Sequence, residues 1–276
     1  MTAQDGAVIR IGTSGWVYPP WRGSFYPKGV TQKRELAYLA ERLNSVEING
    51  TFYALQRPAS FVSWAGQTPV GFVFATKAPR FITHMKRLKD AEIPVANFLA
   101  SGVLRLQEKL GPILWQLPGT LRFDAEVLAE FLALLPQSAA AAAKLGARHD
   151  DRIKDDEGLR IDEDRPLRHA LEPRHVSFQD EKCLRLLRDH NVAMVVADTA
   201  KTWPYFEELT ADFTYARLHG DEELYVSGYT DEALDRWAKK VRKWHRRGDV
   251  HVYFDNDAKV RAPVDAMGLS QRVGLG

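Results

Sequence analysis

Eight short apolar runs constrain this chain more than any other feature. Each is closed by a polar or charged residue and separated from the next by a helical pattern. The runs end at Thr13, Asn49, Lys77, Gln116, Glu172, Asp198, His219 and Asn256. The first, Val8-Ile9-Arg10-Ile11, alternates and meets the glycine-rich turn Gly12-Thr13-Ser14-Gly15. The fifth stops at Pro173, which cannot donate to a central ladder. Strand-then-helix repetition predicts a parallel sheet, because each helix returns the chain to the same end of the sheet. Eight such units in about 250 residues predict the α/β class, as a single (β/α)8 TIM-type barrel. A doubly wound open sheet competes, but no G-x-G-x-x-G opens a helix after the first strand.

The spacing predicts helices over 35–43 (leucines at 36, 39 and 43), 58–67 (opened by proline), 95–110, 124–135, 181–190, 231–247 and 260–269. Asp124 is the expected N-cap of the fourth. In the sixth, Leu234, Trp237, Val241 and Trp244 lie on one face. A short helical piece is expected around Glu207. The chain reads as one barrel domain over 1–276 with a charged insertion at about 138–166. That insertion begins as an alanine run and turns to Arg148-His149-Asp150-Asp151-Arg152 and Asp155-Asp156-Glu157. Its place between helix four and strand five puts it nominally at the bottom of the barrel. It reads as a solvated excursion or as an arm folded over a neighbouring surface.

Composition excludes several classes. With 276 residues, 45% hydrophobic, the chain can bury a large core. A formal charge of +2, from 38 basic and 36 acidic side chains, supplies no global field toward nucleic acid or anionic lipid, so such affinity needs a local patch. The single cysteine, Cys183, cannot form an internal disulfide and lies in a helical pattern. No leader pattern opens the sequence, and no apolar run approaches the length of about 18 that spans a membrane. A reduced, cytoplasmic protein with no membrane partner is expected; oligomeric state is not legible.

In a barrel, side chains alternate inward and outward, and functional groups gather where strands end. Glu47 and Asn49 share a parity, as do Glu172 with Arg174 and Arg217 with His219, while Lys77, Gln116, Asp198 and Asn256 close their own runs. Such charges either bind something or form a structural ion-pair network capping the core. The loops after the strands carry aromatics, among them Trp16, Tyr53 and Tyr229, which can stack on flat ligands or simply pack the loops down. The loop after strand three is basic, with Arg80, His84, Lys86, Arg87 and Lys89, a composition suited to phosphate or carboxylate or to a solvated turn. The basic run between Lys239 and Arg247 lies on an outer helix and reads as a solvated face.

Several blocks in order resemble one family. They include Gly12-Thr13-Ser14-Gly15-Trp16, Val46-Glu47-Ile48-Asn49-Gly50-Thr51-Phe52-Tyr53, Phe74-Ala75-Thr76-Lys77-Ala78, Gly111-Pro112-Ile113-Leu114-Trp115-Gln116-Leu117-Pro118, Glu172-Pro173-Arg174-His175, Arg217-Leu218-His219-Gly220 and Tyr253-Phe254-Asp255-Asn256. Together they resemble the YecE-like family, a family with a domain of unknown function, from about residue 8 to 270. The resemblance implies a (β/α)8 barrel and no established activity. Where many relatives look like Phe-Asn-Asn at strand eight, this chain has Phe254-Asp255-Asn256, which adds a carboxylate.

The leading expectation is a barrel that binds, and as a hydrolase would cleave, a phosphate-bearing ligand such as a nucleotide or nucleic acid. Its catalytic candidates are Glu47, Lys77, Glu172, Asp198 and His219; its ligand-binding candidates are Trp16, Asn49, Tyr53, His84, Gln116, Arg174, His175, Arg217, Tyr229 and Asn256. No H-x-H or H-x-x-x-H pair appears, so no multinuclear metal cluster is expected; a single ion through Glu47, Glu172, Asp198 and His219 stays open. Glycoside cleavage by Glu47 with Glu172 or Asp198 is an alternative. Schiff-base chemistry on Lys77 ranks lower, because neighbouring carboxylates favour its protonated form. A non-catalytic sensing or interaction barrel is not excluded.

Overall fold

The computed structural model describes residues 6–275; the expected domain limits, 1 and 276, lie outside them. Among the described residues nine strands occur: β1 (Ile9–Ser14), β2 (Ser45–Ile48), β3 (Val73–Lys77), β4 (Leu110–Gln116), β5 (His169–Glu172), β6 (Val192–Met194), β7 (Val196–Asp198), β8 (Thr214–Leu218) and β9 (Val250–Phe254). Their order in the sheet is β6-β5-β4-β3-β2-β1-β9-β8-β7. β6 and β7 are two pieces of one apolar run, interrupted at Val195. This sequential order, with parallel pairing, is that of an α/β (β/α)8 TIM-type barrel, as the eight runs predict. The helices are α1 (Glu35–Ala40), α2 (Gly50–Tyr53), α3 (Pro58–Gly66), α4 (Glu92–Ala100), α5 (Ala125–Leu134), α6 (Ala139–Gly146), α7 (Glu181–Asp189), α8 (Asp231–His245) and α9 (Arg261–Val273). The chain clusters into two compact units, the second made of Ile48–Gln67 and Val73–Val192 and the first of the remainder.

In the first unit β1 pairs with β9, β9 with β8 and β8 with β7, all parallel. The close approach of β1 to β2 requires Gly12, where a Cβ would stand 2.0 Å from the Ser45 carbonyl oxygen. Helix α8 buries the face that its period predicts, Leu234, Trp237, Val241 and Trp244. It is tied to α9 through Arg272, which bonds Asp231 and Asp235 at 2.5 and 2.8 Å. The short helix expected around Glu207 does not form; the segment is irregular, with Glu207 held by Tyr205 and Lys240.

In the second unit β3 pairs with β4 and β4 with β5. Asp124 caps α5 by accepting from the backbone of Glu126 and Val127. The helix predicted over 95–110 stops earlier. At Gly102 (φ +119°) a Cβ would meet Pro58 Cα at 2.6 Å, so the chain turns there and continues as a 3-10 segment, Val103–Lys109. The 138–166 segment packs along α4. Arg148 pairs with Glu92 at 2.6 Å, Asp150 N–H donates to Asn97 Oδ1 at 3.0 Å, and Gly158 lies so near the Ala100 carbonyl that a Cβ would be 1.9 Å away. The segment does not stay at the strands' amino-terminal ends, where its chain position alone would put it. Arg152 reaches the Phe81 ring, in the loop after β3.

Candidate functional site

Register builds the acid–arginine cluster of the first unit. Parallel pairing sets Ser14 opposite Glu47, and Ser14 Oγ donates to Glu47 Oε1 at 2.9 Å. On β8, Tyr215 and Arg217 are two residues apart and share a face. Tyr215 donates its hydroxyl to Glu47 Oε2 at 2.7 Å, and Arg217 adds a fork, Nη2 to Oε1 at 2.8 Å and Nε to Oε2 at 3.1 Å. Glu47 thus accepts four hydrogen bonds, and both it and Arg217 are wholly buried. Dehydrating each ion costs several kcal/mol, which only such dense pairing offsets. Arg217 Nη2 also donates to Asp255 Oδ2 at 2.9 Å. Burial, then the Glu47 charge, pushes the Tyr215 phenol well above its ordinary range.

His219 completes this cluster. Its Nε2 lies 3.3 Å from Arg217 Nη1, and its Nδ1 lies 3.1 Å from Asp255 Oδ2. A guanidinium only donates, so Nε2 is the acceptor from Arg217. Beside it, Tyr229 donates its hydroxyl to Asp198 Oδ2 and accepts from Gly220 N–H, each at 3.1 Å. Burial raises the Asp198 carboxyl. Asn256 donates through Nδ2 to Asp265 Oδ2 at 2.7 Å and to the Ser227 carbonyl at 2.9 Å. Trp16 is buried, and its carbonyl takes the Tyr26 hydroxyl at 2.7 Å. The aromatics after β1 largely pack on one another, with Trp21 against Tyr18, Phe25 and Tyr26.

The second unit gathers a different collection where β3, β4 and β5 end. Glu172, wholly buried, accepts from Gln116 Nε2 at 3.1 Å and from Arg174 Nε at 2.8 Å. Lys77 places its Nζ over the Phe52 ring, 4.2 Å from the centroid, a contact suited to the charged ammonium. Thr51 Oγ1 holds the Lys77 carbonyl at 2.7 Å. Phe52 in turn meets the His84 ring edge to face at 5.2 Å. His84 stands on a single π-helical turn, Phe81–Met85, with Nδ1 2.9 Å from Thr83 Oγ1. Its pKa is driven down to about 4, first by burial and then by the positive charges of Lys77, Arg174 and Arg80, with Glu172 opposing. His175 uses Nδ1 to accept the Ser177 N–H at 3.1 Å and so caps the turn Val176–Phe178. Asn49 leaves a buried Oδ1 without a hydrogen bond, and Tyr53 is 73% exposed.

The sequence candidates therefore fall into two collections. Glu47, Arg217 and His219 form one network in the first unit, with Asp198, Tyr229 and Asn256 in bonded pairs of their own. Lys77, His84, Gln116, Glu172 and Arg174 form the other in the second. Ser14, Tyr215, Asp255 and Asp265 are participants that the candidate set lacked. Asp255 was visible as the departure from Phe-Asn-Asn, and Tyr215 through its parity with Arg217; Asp265 lies in α9 and carried no signal. Among the described residues, no group of three or more His, Cys, Asp or Glu is arranged to hold a metal ion, and no helix is long and apolar enough to cross a membrane.

Residues 10–276 match the family described as protein of unknown function DUF72. The chain belongs to the DUF72 family. This DUF72 chain is 27% identical to UPF0759 protein YecE of Escherichia coli K12 over 260 residues, 93% of this chain and 89% of that protein. It is similar to the solved structure of a DUF72 family protein from Thermotoga maritima, with 26% identity, a TM-score of 0.75, and 96% and 98% of the two chains covered. A DUF72 family protein from Enterococcus faecalis, 19% identical, shares the fold with a TM-score of 0.75 over 98% and 96% of the chains.

Proposed function

We propose that the carboxyl-terminal ends of β3, β4 and β5 bind the phosphate of a phosphate-bearing ligand, a nucleotide or a nucleic-acid strand. One arrangement supports this reading: the ends of β3–β5 bring Lys77, Arg174 and Arg80 near His84 and the buried Glu172, and burial together with these positive charges pushes the His84 pKa down to about 4. An anion seated there would meet these cations. Arg174, oriented through Nε by Glu172, supplies a planar guanidinium, and Lys77 supplies a point charge. Arg217 plays a different part, because its guanidinium already serves Glu47, Ser14 and Asp255.

Seating a dianion offsets the positive charges that add to burial in depressing His84, so its pKa rises and the ring takes up a proton. That proton is the one a hydrolytic step would deliver to a leaving oxygen. The test is calorimetric titration with sulfate, which stays dianionic, at pH 5.5 in buffers of different ionisation enthalpy. Binding with proton uptake is expected. Lys77→Met and Arg174→Gln should each weaken it at least about tenfold. Absence of sulfate binding, or equal binding by both variants, sinks the proposal. Turnover of bis(p-nitrophenyl) phosphate, lost in His84→Ala, would add hydrolysis to binding.

A further inference from the structure

The 138–166 segment delivers Arg152 to a second concavity in the same unit. This open cleft, of about 360 Å³, lies between the residues after β2, the π-helical turn after β3 and the start of α4. Its walls are apolar and strongly exposed: Tyr53 is 73% and Met85 65% accessible, beside Phe81 and Pro94. Large apolar side chains left in water around a concave surface of this size are the ordinary lining of a small-molecule site. The turn that supplies Phe81 and Met85 is π-helical, a form that recurs at functional positions.

Charge decides what such a cleft takes. Arg152 holds its guanidinium 5.6 Å from the Phe81 centroid, and Arg80 contributes a second guanidinium with no ion-pair partner among the described residues. Asp150 pairs with Arg152 at a long 3.8 Å from Nε, a distance at which it makes no hydrogen bond to the guanidinium. Its backbone N–H is engaged by Asn97 Oδ1, which anchors the segment to α4. Two arginines above stacked aromatic and thioether surface match a flat apolar body that carries a negative charge at one end.

We infer that this cleft binds a planar aromatic carboxylate, its ring between Tyr53, Phe81 and Met85 and its carboxylate on Arg152 and Arg80. The site shares Arg80 with the phosphate reading but does not rest on it, since neither Lys77 nor Arg174 lines it and Arg152 carries the test. Arg152 tethers the ligand to an insertion that lies outside the strand–helix repeat, which makes the segment a specificity element.

The test uses 2-naphthoate and its neutral isostere 2-naphthamide, titrated into the full chain and followed by calorimetry or ligand-observed NMR. The naphthoate should saturate and bind at least about tenfold more tightly than the amide. Arg152→Gln should erase that preference with the thermal midpoint unchanged, because the side chain is 62% exposed and its removal leaves no buried hole. Phe81→Ala should weaken both probes. Equal affinity for the two probes, a preference that survives Arg152→Gln, or no saturation of naphthoate overturns the inference.

Discussion

Replacing Glu47 by glutamine should destabilise the protein far more than replacing Asp255 by asparagine, although both carboxylates bond the same arginine. Glu47 accepts four hydrogen bonds, two of them from Arg217, and no part of its side chain meets water. An amide in its place presents a donor to donors and leaves the buried guanidinium short of its counter-charge. Breaking one partner of a buried pair costs about 3–5 kcal/mol. Asp255 takes one bond from Arg217 and keeps 14% of its side chain accessible. With Glu47 intact, Asp255→Asn removes a second, partly hydrated charge at a cost of about 1 kcal/mol. At about 2–4 °C per kcal/mol for a chain of this size, Glu47→Gln lowers the midpoint of a calorimetric scan by about 10 °C and Asp255→Asn by about 3 °C. The triple variant Glu47→Leu, Arg217→Met and Asp255→Asn should recover most of the loss, since it removes all three ions together. The reasoning fails if Asp255→Asn matches Glu47→Gln, or if the triple variant is no better than the single one.

Three further outcomes follow from other parts of the molecule. Burial, then repulsion from Asp255, raises the Asp257 carboxyl to about 6, so the folded protein holds that proton longer than the unfolded chain does and loses stability as pH rises from about 4 to 6; Asp257→Asn should gain about 1–2 kcal/mol at pH 8 and nothing at pH 3.5 in urea titrations. Gly158→Ala must push the segment off the Ala100 carbonyl, at a cost of about 2–4 kcal/mol, and limited proteolysis should then cut first between residues 148 and 160. Cys183 is wholly buried, with its thiol pushed up to about 12, so a disulfide reagent at pH 8 should label it only after unfolding in guanidinium.

The order of strands was legible because burial on both faces leaves near-continuous apolar runs, and each run stopped at a residue that could not be buried cheaply. Thus Lys77, Gln116, Glu172 and Asp198 end strands where the sequence indicates. What escaped was decided by contacts between distant segments. The helix over 95–110 looked continuous until Pro58 occupied the space beside Gly102. The sixth strand read as one element and is interrupted at Val195. The 138–166 segment reads by charge as a solvated excursion or an arm over a neighbouring surface, and Ala142, Leu145 and Gly146 are buried, since small residues at helical spacing allow close packing without an obvious apolar stripe.

The same limit explains why a charged residue at a strand end does not declare its role. Glu47 and Glu172 look alike in sequence, each closing an apolar run. Cross-strand register then gives them opposite electrostatic settings. Ser14, Tyr215 and Arg217 saturate Glu47 with donors, and a second acid, Asp255, shares the arginine. Glu172 is one acid near Lys77, Arg174 and His84, with Arg80 adding to the positive field. An excess of acid over base around a buried arginine repels an incoming anion, whereas Lys77, Arg174 and Arg80 near His84 would attract one. The sign of that local balance, set by which neighbours the register supplies and by none of the residues alone, is what the proposed ligand site at the ends of β3–β5 rests on, and it sets that site apart from the Glu47–Arg217 network.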